Sequence, residues 1–166
     1  MNDYYRLILT DDNQATYGSP VYTNLNFPNL EPYRFCKIFV ESVGLTVAEE
    51  NGNNNEKAHD FVSIELANYH SSNTQICNGT NTNNSAILDI ISGIKETHTG
   101  EGHSVIKCNK NKSSDIIMDG AIFPINVLQN NSIALNIRYA NNDLILAPPE
   151  PHNQYKIILG IQLIKS

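Results

Sequence analysis

The chain has 166 residues, 40% of them apolar and 17% charged, with no tryptophan and a formal charge of −6. That length suits one domain that removes roughly 70% of its surface from water, enough for a core without disulfides or metal. The negative balance, set against one short basic cluster (Lys107-Cys-Asn-Lys110-Asn-Lys112), argues against a sequence-independent grip on nucleic acid, which needs grouped Lys and Arg.

The opening Met-Asn-Asp-Tyr-Tyr-Arg lacks an apolar stretch of signal-peptide length, and no run reaches membrane-spanning length. Tyr5-Arg-Leu-Ile-Leu-Thr10 predicts a first strand, closed by the turn-prone Asp11-Asp12-Asn13. Val21, Thr23, Leu25 and Phe27 alternate loosely and predict a second strand. It stops at Pro28, because proline has no N–H to give a sheet ladder. From Arg34 to Val47 the chain is β-branched and aromatic, with Cys36, Ile38 and Val40 on one face and Phe35 and Phe39 on the other. Apolar residues on both faces imply a strand covered on two sides, or one at a subunit contact.

The polar segment from Ala48 to Asp60 predicts an exposed loop. Phe61 to Tyr69 reads as a strand with Val62, Ile64 and Leu66 inward and Ser63 and Glu65 outward. A second polar loop, His70 to Ser85, surrounds Gln75-Ile-Cys77. Ala86 to Ile94 is ambiguous. Ile87, Ile90, Ile91 and Ile94 sit at helical spacing, but four isoleucines and Gly93 favour a strand. His103 to Cys108, a run around Ile116-Ile-Met118, and Ile122 to Leu128 add short strands, and Lys107 to Lys112 reads as a solvated loop.

The clearest pattern comes last. Ile133, Leu135, Ile137 and Tyr139 alternate with Ala134, Asn136, Arg138 and Ala140. After Pro148, Pro149 and Pro151, the alternation returns in Tyr155, Ile157, Leu159, Ile161 and Leu163. A two-residue period means a pleated strand with one buried face, since successive side chains point to opposite sides. Eight or nine strands, no amphipathic helix, no internal repeat and no second domain predict an all-β chain. The expected fold is a single antiparallel jelly-roll β-sandwich over residues 1–166, with about eight strands and long polar loops.

Asparagine crowds the segments between apolar runs (Asn53-Asn-Asn55, Asn83-Asn84, Asn130-Asn131, Asn141-Asn142). It tolerates left-handed backbone and so suits turns, although an AT-rich coding bias gives the same enrichment. Cys36, Cys77 and Cys108 show no Cys-x-x-Cys spacing and favour reduced thiols. Cys36 lies in an apolar run and reads as core, while a Cys77–Cys108 pair is open but not demanded. Asn-x-Ser/Thr matches at Asn78, Asn83, Asn111 and Asn130 are expected by chance in such a chain.

No Gly-x-Ser-x-Gly elbow, phosphate-cradling glycine loop or His-Glu-x-x-His occurs, and carboxylates are scattered. The best metal candidate joins His98, Glu101 and His103, but two intervening glycines make that piece read as an exposed turn. Asn51-Gly-Asn53-Asn-Asn55-Glu lacks the Asp ligands and sixth-position glycine of a calcium loop. No catalytic residue, cofactor or metal ligand is therefore assigned. A sugar site would draw on Tyr17, Tyr22, Tyr69 and Tyr155, with the lack of Trp weighing against it.

Several pieces together resemble a family. They are Tyr5-Arg-Leu-Ile-Leu-Thr-Asp-Asp12, Phe27-Pro-Asn-Leu30, Cys36-Lys-Ile-Phe-Val-Glu-Ser42, Ile133-Ala-Leu-Asn-Ile-Arg138, an Asn-Asn-Asp-Leu turn, and Tyr155-Lys-Ile-Ile-Leu-Gly-Ile161. The set looks like the single jelly-roll minor capsid or penton proteins of large eukaryotic double-stranded DNA viruses. It spans most of the chain in loose strand patterns and carries over no functional residue. What the resemblance implies is a non-enzymatic building block of an icosahedral shell, located in the virion and assembled in the host cytoplasm. Its partners would be other capsid proteins, or copies of itself in a homo-oligomer such as a pentamer. The alternative is a carbohydrate- or receptor-binding jelly-roll module.

Overall fold

A computed structural model describes residues 3–10, 18–50, 61–70, 76–78, 81–83, 85–92, 95–99, 103–110, 121–140, 142–145 and 155–165. Among these, the chain forms β1 (Tyr4–Thr10), β2 (Val21–Tyr22), β3 (Phe35–Glu50), β4 (Phe61–His70), β5 (Ile76–Asn78) and β6 (Asn81–Asn83). There follow β7 (Ser85–Ser92), β8 (Lys95–Thr99), β9 (His103–Lys110), β10 (Ala121–Pro124), β11 (Ile133–Tyr139) and β12 (Tyr155–Ile164). A 3-10 turn occupies Ile125–Leu128, and no α-helix occurs among the described residues.

The strands form a six-stranded sheet, β1-β12-β3-β9-β8 with β10 also on β3, and a four-stranded sheet, β2-β11-β4-β7. β5 and β6 pair with each other. The long β3 has β12 along one edge, while its other edge is shared between β10 at Phe35–Ile38 and β9 at Val43–Glu50. Alternation decides which side chains meet. Ile157, Leu159, Ile161 and Leu163 of β12 sit with Cys36, Ile38 and Val40 of β3 on the inner face of one sheet. Val62, Ile64 and Leu66 of β4 and Ile133, Leu135 and Ile137 of β11 complete the same buried cluster from the other. Each such side chain contributes roughly 1.5–3 kcal/mol relative to exposure. Two antiparallel sheets closed on one apolar core make an all-β sandwich.

Several expectations are corrected. Ala48, Glu49 and Glu50 extend β3 by pairing with Val105, Ser104 and His103, where an exposed loop was expected. Lys107–Lys110 likewise belong to β9 and pair with β3, with Lys107 opposite both Thr46 and Lys95. In both places main-chain hydrogen bonds hold a polar sequence extended. The strand expected over Ile122–Leu128 ends at Pro124, and Ile125 N–H turns away to donate to the Arg34 carbonyl at 3.0 Å. The strand expected from Val21 to Phe27 shortens to Val21–Tyr22, because Asn24 turns the backbone into the left-handed region at φ 57°.

The ambiguous run is strand β7 as far as Ser92, with Ala86, Leu88 and Ile91 in the core, and Gly93 and Ile94 lie outside the described residues. Ser63 and Glu65 alternate away from the core as expected, yet both are fully buried. The loop at 51–60 and the run around Ile116–Met118 lie outside the described residues. The role given to asparagine holds. All four non-glycine residues with positive φ among the described residues are asparagines: Asn24, Asn68, Asn131 and Asn142. Cys36 is a free, buried thiol whose pKa burial pushes up to about 12, and Cys77 is exposed.

Candidate interaction surface

The side chains that alternate away from the core on the six-stranded sheet form a continuous face. β1 contributes Tyr4, Arg6 and Ile8, and β12 contributes Ile158, Gly160, Gln162 and Ile164. β3 adds Phe35, Lys37 and Phe39, with Ile122 and Pro124 from β10 beside them. Among the described residues six large apolar side chains are exposed, and four lie here: Ile122 (64%), Ile8 (63%), Phe35 (46%) and Tyr4 (41%). A lone exposed apolar residue is ordinary. Four on one face form the largest concentration of exposed apolar side chains among the described residues.

Gly160 sits in the middle of this face, opposite Arg6 on one side and Phe39 on the other. A Cβ there would overlap the Phe39 ring and come 2.9 Å from the Tyr4 hydroxyl. The missing side chain lets two aromatic rings lean over the central strand, their centroids 6.1 Å apart and tilted by 33°. Arg6 caps the arrangement, with its guanidinium 5.3 Å from the Tyr4 ring centroid and its Nε 2.7 Å from Glu41 Oε2. Aromatic and aliphatic side chains therefore share this face with Arg6, Lys37 and Gln162, and the Arg6–Glu41 pair lies beside the two rings.

Next to this face lies an open groove of about 760 Å³, joined to it at Pro124. One wall comes from the β2–β3 connection, with Phe27, Leu30 and Tyr33. The other follows β10, with Asn126, Gln129 and Asn131. Leu25 N–H donates to Asn131 O at 2.8 Å and Ile125 N–H to Arg34 O at 3.0 Å, so main-chain bonds tie the walls together. The ammonium of Lys165 lies 5.4 Å from the Tyr33 ring centroid.

A third feature lies on the four-stranded sheet. The buried Glu65 carboxylate accepts Ser63 Oγ–H at 3.1 Å on Oε1 and Arg138 Nε–H at 3.1 Å on Oε2. Arg138 Nη1 also donates to Asn142 O at 2.9 Å. The guanidinium thus ties a buried anion to the left-handed residue of the turn after β11. With both carboxylate oxygens engaged and closed to solvent, this arrangement holds structure together.

The residues singled out from sequence are scattered by comparison. His98 pairs with Ser104 and Thr99 with His103, so the two histidines occupy neighbouring rungs of the β8–β9 ladder. Glu101 lies outside the described residues, as do Tyr17 and the Asn51–Glu56 segment. Among the described residues no three His, Cys, Asp or Glu side chains group to hold a metal ion. Tyr22 donates its hydroxyl to Thr10 O at 3.3 Å, and Tyr69 packs on the core with its ring edge-on to Phe123. Tyr155 opens β12 opposite Leu45. Neither Tyr22 nor Tyr69 lines the groove, whose ring residues among those described are Phe27 and Tyr33.

No helix among the described residues is long and apolar enough to cross a membrane. Comparison with known protein families, with curated proteins and with solved structures finds no match to this chain.

Proposed function

We propose that this chain is a structural component of an icosahedral viral shell, a minor capsid or penton protein built as a single jelly roll. The strand order supports the jelly-roll reading. Set aside the β5–β6 hairpin and β8–β9, and eight strands remain. The first pairs with the last (β1·β12), the second with the seventh (β2·β11), the third with the sixth (β3·β10), and the fourth with the fifth (β4·β7). A long hairpin with that pairing, rolled up on itself, puts alternate pairs into opposite sheets, as in jelly rolls.

The observation that carries the functional reading is the apolar outer face of the six-stranded sheet, where Tyr4, Ile8, Phe35 and Ile122 are exposed together. A shell subunit works through such faces, and burying them against neighbours drives association. The role asks for rigid shape and complementary surface and needs no bond-making chemistry. Two measurements test it: light scattering of the purified protein across a concentration series, and detection of the chain in purified virus particles. The expected result is self-association or stoichiometric presence in particles. A strict monomer that is absent from particles refutes the reading.

A further inference from the structure

We infer that the groove between residues 27–34 and 124–131 is a binding site for a neutral oligosaccharide. This inference is independent of the shell reading, because it rests on the groove and not on the outer face of the sheet.

The first argument is preorganisation. Besides the two bonds that join its walls, Tyr33 N–H donates to Leu30 O at 3.0 Å, Gln129 N–H to Asn126 O at 3.2 Å, and Asn131 N–H to Leu128 O at 3.1 Å. Asn29 Oδ1 accepts Glu31 N–H at 3.1 Å, which fixes the lip of the first wall. Main-chain bonds hold both walls in place before any ligand arrives, and sites that bind small molecules are usually preformed in this way. The groove volume of about 760 Å³ also falls within the range of such sites.

The second argument is the state of the polar groups. Among the described residues, the side chains of Glu31, Arg34, Asn126, Gln129 and Asn131 form no hydrogen bond or ion pair within the fold, although all five line the groove. Each amide presents a carbonyl acceptor and an NH₂ donor side by side. That is the complement of a vicinal diol, in which each hydroxyl both donates and accepts. Phe27, Pro28 and Ile125 add half-buried or exposed apolar surface, suited to the C–H face of a pyranose ring.

Charge then selects among sugars. Among the described residues that line the groove, Glu31 and Arg34 are the only ionised side chains and carry opposite charges, while the Lys165 ammonium near Tyr33 is not part of the lining. A phosphorylated or sialylated ligand would find one cation offset by one anion, whereas a neutral glycan loses nothing.

The test is titration of the intact protein with maltotriose and with N,N′,N″-triacetylchitotriose, followed by amide chemical shifts, with 3′-sialyllactose as the charged comparison. The expected result is saturable shifts confined to residues 25–34 and 124–131 with at least one neutral trisaccharide, with a Kd on the order of 1 mM. Asn126→Ala/Gln129→Ala should weaken that binding by about tenfold or more. Both side chains are exposed, so the thermal melt should be unchanged. Three outcomes overturn the inference: no saturable shift with either neutral sugar, shifts that survive the double alanine change, or binding of sialyllactose alone.

Discussion

Replacing Arg138 by Met keeps an unbranched apolar stem and removes the guanidinium. Two acceptors lose their donor: Glu65 Oε2 at 3.1 Å and Asn142 O at 2.9 Å. The Arg138 side chain is 24% exposed while that of Glu65 is closed off entirely, so water can reach the cation but not the carboxylate. The penalty therefore falls on Glu65, whose buried Oε2 loses the Arg138 guanidinium. Breaking a buried pair from one side costs about 3–5 kcal/mol, against at most about 1 kcal/mol for a surface pair. In a chain of this size each kcal/mol moves Tm by about 2–4 °C, so Arg138→Met should lower it by about 6–20 °C. Urea unfolding followed by circular dichroism reads the change directly, provided the m-value stays constant. Adding Glu65→Gln removes the stranded charge, and the double variant should recover to within about 2 kcal/mol of the parent. The reasoning is refuted if Arg138→Met stays within about 1 kcal/mol of the parent, or if the double variant is no more stable than the single one.

Gly18→Ala should cost about 2–3 kcal/mol in the same urea assay. The added Cβ overlaps the Ile145 carbonyl oxygen and lies 2.9 Å from its nitrogen, both of them backbone atoms that cannot swing aside. A parent-like midpoint would count against that contact. Cys36 gives a pH dependence. Its buried thiol keeps its proton up to about pH 12, whereas the unfolded thiol loses it near 8.5. Stability from this group is complete below the unfolded value and falls as pH rises toward the folded one, by up to about 1.4 kcal/mol per pH unit. Cys36→Ala should flatten the alkaline stability curve relative to the parent, and identical slopes argue the other way. A thiol reagent should modify Cys77 in the native protein and Cys36 only on unfolding. Ile122→Asp should leave stability within about 0.5 kcal/mol while reducing self-association or incorporation into particles. Unchanged assembly removes Ile122 from the contact.

The long alternating strands were readable because burial acts on one side of each. Ile133–Tyr139 and the stretch from Ile157 to Leu163 carry the two-residue period, and Ile133, Leu135, Ile137, Tyr139, Ile157, Leu159, Ile161 and Leu163 are core. Other strands left no such trace. Ala48–Glu50, Lys95–Thr99 and Lys107–Lys110 are held by main-chain pairing, which accepts polar side chains as readily as apolar ones. The outer face was half legible. Phe35 and Phe39 opposite Cys36 and Ile38 already suggested a second covered side, but bringing Tyr4 next to Phe39 requires β12 to lie between their strands. The groove could not be read at all from local pattern. Its walls meet through Leu25 and Asn131, which are remote in the chain, and its tight geometry depends on a left-handed asparagine.

The last of the described strands, β12, lies between two of the earliest, β1 and β3. During synthesis the ribosome therefore releases both neighbours long before the segment that joins them. Until then the edges of β1 and β3 that β12 will occupy are open and free to pair with the wrong chain. Such topologies fold on the millisecond-to-second scale and accumulate sticky intermediates. Completion of this sheet therefore waits on β12, whose ten residues join β1 to β3.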